Sequence, residues 1–261
     1  MLVRSLLFNA LLYPYMIVSM IVCSPAMLLP RGCVVGLAKF WCRTAMALHR
    51  VTTGVRHVYT GRENIPQGAL LVASKHQSMW ETIALMAQFG DAVFVLKREL
   101  MWIPLFGWWI RRLDMIPVDR GKGSAALAKM TEATRKTLAQ GRQVLIFPEG
   151  TRREPGAEPA YKIGIARLYA DLGVPCLPVA LDSGLVWQRR RMVQRKGTIH
   201  VDFLEPIAPG LPMREFFHLL QDRIEARCDE RLLEAGQEGV EGLPAAARAR
   251  IALLKAQAKA D

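Results

Sequence analysis

The chain has 261 residues, enough to bury a full core as one ordinary domain with an appendage; 51% of them are hydrophobic, and mean hydropathy is +0.15, a balance that points to a membrane surface. Lys and Arg number 35 against 23 Asp and Glu, a formal charge of +12, which favours anionic partners such as phospholipid head groups, nucleic acid, or a phosphorylated or acidic cosubstrate. The five cysteines, Cys23, Cys33, Cys42, Cys176 and Cys228, are odd in number and lack Cys-x-x-Cys spacing, which excludes a disulfide framework or a cysteine metal site and predicts buried, reduced thiols on the cytosolic side.

From Ser5 to Pro30 no residue is charged, and this run of 26 is long enough for a helix to cross the ~30 Å hydrocarbon core, although Pro14 and Pro25 interrupt it. It exceeds the usual ~7–15-residue apolar region of a signal peptide, and only Arg4 precedes it, so a spanning helix or an in-and-out anchor is expected. Between Val34 and Leu48, helical spacing places Leu37, Phe40, Trp41 and Leu48 near one face, with Lys39 and Arg43 away from most of it, as in an interface-lying helix. The expectation is an N-terminal two-helix membrane module over residues 1–50.

From residue 51 short strand-like runs alternate with longer helical stretches. The predicted strands are Val55–Thr60, Ala69–Ala73, Ala92–Leu96, Met115–Val118, Gln143–Phe147, Cys176–Ala180 and Thr198–Phe203, with helices such as Ser124–Ala139 between them. That alternation predicts an α/β domain, a mostly parallel sheet flanked by helices, with ligands gathering in loops at the strand ends. A helix from Met213 to about Ala235 closes this domain at residue 235. Gly236–Pro244 breaks it, and residues 236–261 are expected to form a basic C-terminal tail, helical or frayed.

Two of the five histidines are followed five residues later by Glu: His76 by Glu81 and His200 by Glu205. In a strand that odd spacing sends His200 and Glu205 to opposite faces, so the pair fails as a dyad. His76 instead follows an apolar strand and precedes a helical pattern near Ser78, a good N-cap residue. Five residues along a continuous helix separate side chains by about 140°, so His76 must sit in the loop, folded back towards Glu81. A carboxylate there accepts one ring N–H and leaves the other nitrogen as a base. Taken alone, the spacing also suits a surface histidine beside a solvated glutamate.

The segment Phe147-Pro148-Glu149-Gly150-Thr151-Arg152 ends another strand. A glycine that exposes backbone, a hydroxyl and a guanidinium in succession suit phosphate, which arginine holds through two parallel hydrogen bonds. An exposed arginine on a strand-ending turn is the plainer alternative.

With their order and separation, these motifs resemble the glycerolipid acyltransferase family, most closely the 1-acyl-sn-glycerol-3-phosphate acyltransferases, over residues 66 to 182. The resemblance implies a glycerol-3-phosphate acyltransferase-like fold with a catalytic dyad at His76 and Glu81. It implies substrate-binding roles for Lys97, Arg120, the intact block Glu149, Gly150, Thr151 and Arg152, and Pro178 of the proline-centred block Val174–Pro178. Glu81 replaces the usual Asp and adds a methylene, and Lys75 stands where Asn often precedes the histidine.

The implied reaction moves a fatty-acyl group from acyl-CoA or an acyl carrier protein to the sn-2 hydroxyl of lysophosphatidic acid, giving phosphatidic acid. No cofactor is implied beyond that thioester cosubstrate. The implied partners are these substrates and membrane lipids, with no nucleic acid. The implied place is a membrane, the bacterial inner membrane if the source is bacterial, with the site on the cytoplasmic side. Glycerol 3-phosphate or another lyso-lipid is the alternative acceptor, and a membrane-attached nucleic-acid binder is the alternative of another class.

Three further segments stand out. Trp102–Trp109 is aromatic enough for membrane or acyl-chain contact, or for core. Gln188–Arg191 with Arg195 and Lys196 suits anionic lipid, coenzyme A phosphates, an acidic carrier protein, or a merely solvated loop. Gly121-Lys122-Gly123-Ser124 lacks the full phosphate-loop pattern and reads as a helix start. There is no Gly-x-Ser-x-Gly elbow, which favours direct transfer over a covalent acyl-enzyme.

Overall fold

The computed structural model describes residues 1–119, 121, 123–240 and 242–259. Arg120, expected as a substrate ligand, and Lys122 lie outside the described residues.

Helix α1 (Leu2–Val22) leads through a 3-10 turn at Ser24–Leu28 into α2 (Arg31–Thr53). Then come β1 (Arg56–Thr60), β2 (Leu70–Ser74), α3 (Trp80–Met86), β3 (Ala92–Lys97), α4 (Phe106–Arg112), β4 (Ile116–Val118), α5 (Gly123–Leu138), β5 (Gln143–Ile146) and α6 (Gly164–Leu172). The chain finishes with β6 (Cys176–Leu181), α7 (Ser183–Val186), β7 (Thr198–Phe203), α8 (Met213–Gln237) and α9 (Ala245–Gln257).

The seven strands form one sheet in the order β1-β7-β6-β2-β5-β3-β4. All neighbours are parallel except β6 and β7. Strands β6, β2, β5, β3 and β4 therefore point the same way and release their C-terminal loops along one edge, where open α/β sheets bind ligands. Every residue of β2, β5 and β6 is buried, which is why these segments read as continuous apolar runs and not as alternating patterns. Edge strand β4 carries Pro117 on its exposed side, where no ladder donor is needed.

Pro178 lies buried inside β6, opposite Ala73 of β2. The β6–β7 ladder begins at Val179↔Phe203, so its missing N–H falls at the ladder's end, and its carbonyl accepts from Leu204 N–H at 3.0 Å.

At the N-terminus two helices are present, but among the described residues only α1 is long and apolar enough to cross a membrane. The uncharged run does not continue as one helix, because the chain turns at Cys23 with Pro25 in the 3-10 segment. One face of α1, Ser5, Phe8, Asn9 and Leu12, is buried against the protein. Phe8 sets its edge on His49 and Trp187, with centroids 4.9 and 5.4 Å apart.

The second helix differs from expectation. It buries Val34, Val35, Cys42, Ala45, Met46 and His49, while the expected interfacial face is divided: Phe40 is exposed, and Trp41 stacks on Tyr15 of α1.

Beyond the break, Ala245–Gln257 forms α9, the helical one of the two expected forms. Helix α8 continues through Gly236, where the absence of a side chain admits Ile251 of α9; an added Cβ would meet it at 3.3 Å. Ala247 and Ile251 join Leu185 and Leu232 in a small apolar cluster, and Arg250 pairs with Asp229 at 2.5 Å. The cysteines are all free, as expected, but Cys33 is exposed and Cys23 only partly buried. The aromatic segment divides between the two readings: Trp109 is buried and donates to Met20 O of α1 at 3.2 Å, whereas Trp102 is 68% exposed and Trp108 52%.

Candidate functional site

The loop after β2 carries Lys75 and His76, and α3 begins at Trp80, so His76 precedes the helix and folds back over its first turn. Its Nδ1 lies 2.8 Å from Glu81 Oε1. That same oxygen accepts the backbone N–H groups of Gln77 and Ser78, each at 2.7 Å. The Ser78 hydroxyl accepts from Trp80 N–H at 3.3 Å, so Ser78 and Glu81 satisfy the free amides of the helix start much as a capping box does.

Glu81 is fully buried, and its other oxygen accepts from Ser183 Oγ at 2.8 Å. A carboxylate with this many donors accepts the Nδ1 proton of His76 and fixes the tautomer whose Nε2 carries a lone pair. No group among the described residues bonds to Nε2. The imidazole stacks on Phe147 with centroids 4.0 Å apart, which further limits its rotation.

Phe147 opens the loop after β5, the strand next to β2. Gly150 turns this loop with φ of +66° and donates to Phe147 O at 2.9 Å. A Cβ there would be strained by the backbone angle and would meet Lys162 Nζ at 3.2 Å. Two residues beyond Thr151, Arg153 N–H donates to His76 O at 2.8 Å, tying the two motif loops together. Thr151 is exposed and Arg152 half-buried. Burial lowers the Arg152 pKa and Arg189 lowers it further, against an opposing pull from Glu81. Among the described residues Arg152 has no ion-pair partner.

Glu149 does not face the opening. It is buried and accepts from Lys75 Nζ at 3.0 Å. The same ammonium, itself buried, donates to Glu225 of α8 at 2.7 Å, and Tyr161 OH donates to that carboxylate oxygen at 2.9 Å. Burial pulls the Lys75 pKa down, but the two carboxylates outweigh it and the net direction is up. Burial dominates at Glu149 and raises its carboxyl. Lys75 is thus a buried charge with two carboxylate partners, one from the adjacent strand loop and one from 150 residues downstream.

Lys97 ends β3 on the same sheet edge, about half exposed and paired with Glu99 at 3.1 Å. None of its recorded contacts reaches His76 or Arg152. His200 does not meet Glu205; its Nδ1 and backbone N–H both engage Asp182, each at 2.7 Å. Asp182 was not singled out in the sequence, since its partner lies on the other side of a long loop. Gly184, two residues on, donates to Gln77 Oε1 at 3.0 Å. The β6–α7 turn therefore clamps the His76 loop through both Ser183 and Gly184. Among the described residues no group of His, Cys, Asp and Glu is arranged to hold a metal ion.

Residues 56–182 match the acyltransferase family model. The chain is 40% identical over 161 residues to the 1-acyl-sn-glycerol-3-phosphate acyltransferase of Pseudomonas aeruginosa, a stretch covering 62% of this chain and 63% of that protein. It is 29% identical over 159 residues to the mouse 1-acyl-sn-glycerol-3-phosphate acyltransferase alpha, covering 59% of this chain and 56% of the mouse protein. The alignments thus span less than two thirds of these relatives. The crystal structure of the 1-acyl-sn-glycerophosphate (LPA) acyltransferase PlsC from Thermotoga maritima superposes with a TM-score of 0.74 at 23% identity, covering 87% of this chain and 96% of that one. The common architecture is the mostly parallel sheet flanked by helices.

Proposed function

We propose that the protein, whose residues 56–182 match the acyltransferase family model, transfers a fatty-acyl group from a thioester to the sn-2 hydroxyl of 1-acyl-sn-glycerol 3-phosphate. His76 Nε2 takes the hydroxyl proton as the oxygen bonds to the thioester carbonyl carbon. Collapse of the tetrahedral adduct breaks the carbon–sulfur bond, and the imidazolium returns the proton to the departing thiolate. The products are phosphatidic acid and the free thiol of coenzyme A or a carrier protein, with no further cofactor. Glu81 holds the tautomer and stabilises the imidazolium.

The observation that carries this reading is the hydrogen bond from Arg153 N–H to His76 O. It joins a loop bearing a base to a loop bearing an arginine, and among the described residues neither the His76 Nε2 nor the Arg152 guanidinium is engaged. Arg152 receives the acceptor phosphate, aided by backbone at Gly150 and Thr151, so that the hydroxyl meets the base in attack geometry. Glu149 acts by positioning Lys75, and Pro178 by shaping the strand behind the site. Lys97 extends the cationic rim. The reaction takes place at a membrane, and the exposed apolar face of α1 supports attachment there; the site is assigned to the cytoplasmic side.

The test is an assay of the purified full chain in neutral detergent, with acyl-CoA or acyl carrier protein as donor. Acceptors would be 1-acyl-glycerol 3-phosphate, glycerol 3-phosphate, a lysophosphodiester lipid and monoacylglycerol. A clear kcat/KM preference for 1-acyl-glycerol 3-phosphate is expected, and preference for any other acceptor would overturn the assignment.

A further inference from the structure

The loop that follows α7 brings a second guanidinium to Arg152. Arg189 donates through Nη1 to the carbonyl of Arg152 at 3.1 Å. Its remaining N–H groups make no hydrogen bond or ion pair among the described residues, and neither does the Arg152 guanidinium. Burial of Arg152 disfavours its charge, Glu81 pulls the other way, and Arg189 adds repulsion, with the net direction down. From Gln188 to Lys196 the chain has five cations and no acid, so the loop contains nothing that would relieve the repulsion.

The loop is nevertheless held in place. Gln194 N–H donates to Ser5 Oγ, and Asn9 Nδ2 donates to Met192 O, each at 3.0 Å. Arg195 N–H donates to Val186 O at 2.9 Å. Two of these anchors lie on the inner face of α1, whose outer face exposes Val3, Leu7, Val18 and Val22. The basic loop thus runs between an apolar helix and the loop bearing Arg152, at the level where a lipid embedded by its acyl chain would present its head group.

We propose that Arg189 is a second ligand for the phosphate monoester of the acceptor, closing a two-arginine clamp with Arg152. The proposal rests on the reading of the site given above. A monoester carries close to two negative charges at neutral pH and three acceptor oxygens, enough for two guanidinium forks. In the acceptor only C2, C3 and one ester oxygen separate the reacting hydroxyl from phosphorus, so a phosphate held beside Arg152 keeps the hydroxyl near His76. Coenzyme A also carries a phosphate monoester, but at the end of the molecule remote from its thioester.

The experiment measures KM for 1-acyl-glycerol 3-phosphate, KM for acyl-CoA, and kcat for the full chain in neutral mixed micelles, where bulk attraction to an anionic surface is absent. Arg189→Ala is expected to raise the acceptor KM about ten- to a hundredfold, the worth of a charge-assisted hydrogen bond, while the donor KM stays within twofold. Arg189→Lys, which keeps the charge and loses the fork, should fall between. Arg190→Ala is the control, since its side chain makes no recorded contact with Arg152, and it should match the wild type. Unfolding would show as a lost thermal transition and is separated by the unchanged donor KM. An unchanged acceptor KM, or an equal rise for donor, overturns the clamp. If the wild type used monoacylglycerol as well as its phosphate, the functional reading itself would fail, whatever the variants did.

Discussion

Ser183 Oγ donates to Glu81 Oε2 at 2.8 Å, so the second carboxylate oxygen of Glu81 is anchored to the first residue of α7, 102 residues further along the chain. Both residues are fully buried. The bond therefore contributes through what its loss would cost, a buried oxygen left without a donor.

Ser183→Ala should lower the stability of the folded protein by about 1–3 kcal/mol, the penalty for an unsatisfied buried acceptor. It should also lower kcat, with both KM values nearly unchanged, because Glu81 gains freedom to turn away from His76. Thermal unfolding and steady-state kinetics read the two effects separately, and a kcat equal to wild type would remove Ser183 from the positioning of Glu81.

His76→Ala should reduce kcat by at least about 10²–10⁴-fold, the usual worth of general-base assistance, without unfolding the protein. Glu81→Gln keeps a ring partner but loses the charge, and some turnover should persist. Glu81→Asp shortens the arm, and one oxygen can then no longer meet His76 Nδ1 and the amides of Gln77 and Ser78 together. We expect reduced but measurable turnover. A folded, fully active His76→Ala enzyme would mean that the base lies elsewhere.

Asp202 on β7 joins the sheet to α8 through Arg231, at 2.6 Å, and Arg227, at 3.1 Å. Burial pushes its carboxyl pKa up, but hydrogen bonds from Arg231, Thr60 and Arg227 outweigh this and bring it down to about 2 from 3.8. A lowered folded-state pKa contributes stability that is complete above the unfolded value and is lost as pH falls through the folded one. Stability should therefore drop between pH 3.8 and about 2. Asp202→Asn should be less stable at neutral pH and should lose part of that acid dependence. Parallel denaturation curves for the two proteins across this window would contradict the assignment.

Membrane association should survive a high-salt wash and yield to detergent. Salt screens exposed charges over a Debye length of about 10 Å at 0.1 M, but it leaves the apolar contacts of α1 intact. Release by salt alone would show that the basic surface, and not α1, holds the protein at the membrane.

Much of the architecture was legible from local pattern. All seven strands lie within a residue or so of the runs predicted for them; the central β2, β5 and β6 are covered on both faces and read as apolar runs, while β1 alternates. The His76–Glu81 pair was legible for a similar reason: a loop, a helix start and a spacing of five residues confine both groups locally. The intact run from Glu149 to Arg152 marked the second loop.

The order of the strands brought those two loops together, and no local signal carries strand order. The partners of the buried polar groups were equally out of reach. Lys75 finds Glu225 on α8, His200 finds Asp182 and not Glu205, and Glu81 finds Ser183. Lys75 and Glu81 are buried and His200 is partly so; such groups must be satisfied, but any donor or acceptor of suitable shape meets that need, from any distance along the chain. Periodicity and local motifs thus determined which segments are buried and which loops carry His76 and Arg152. Packing alone decided which side chains hold them in place, because a polar group withdrawn from water takes the partner that the folded sheet and helices put within about 3 Å.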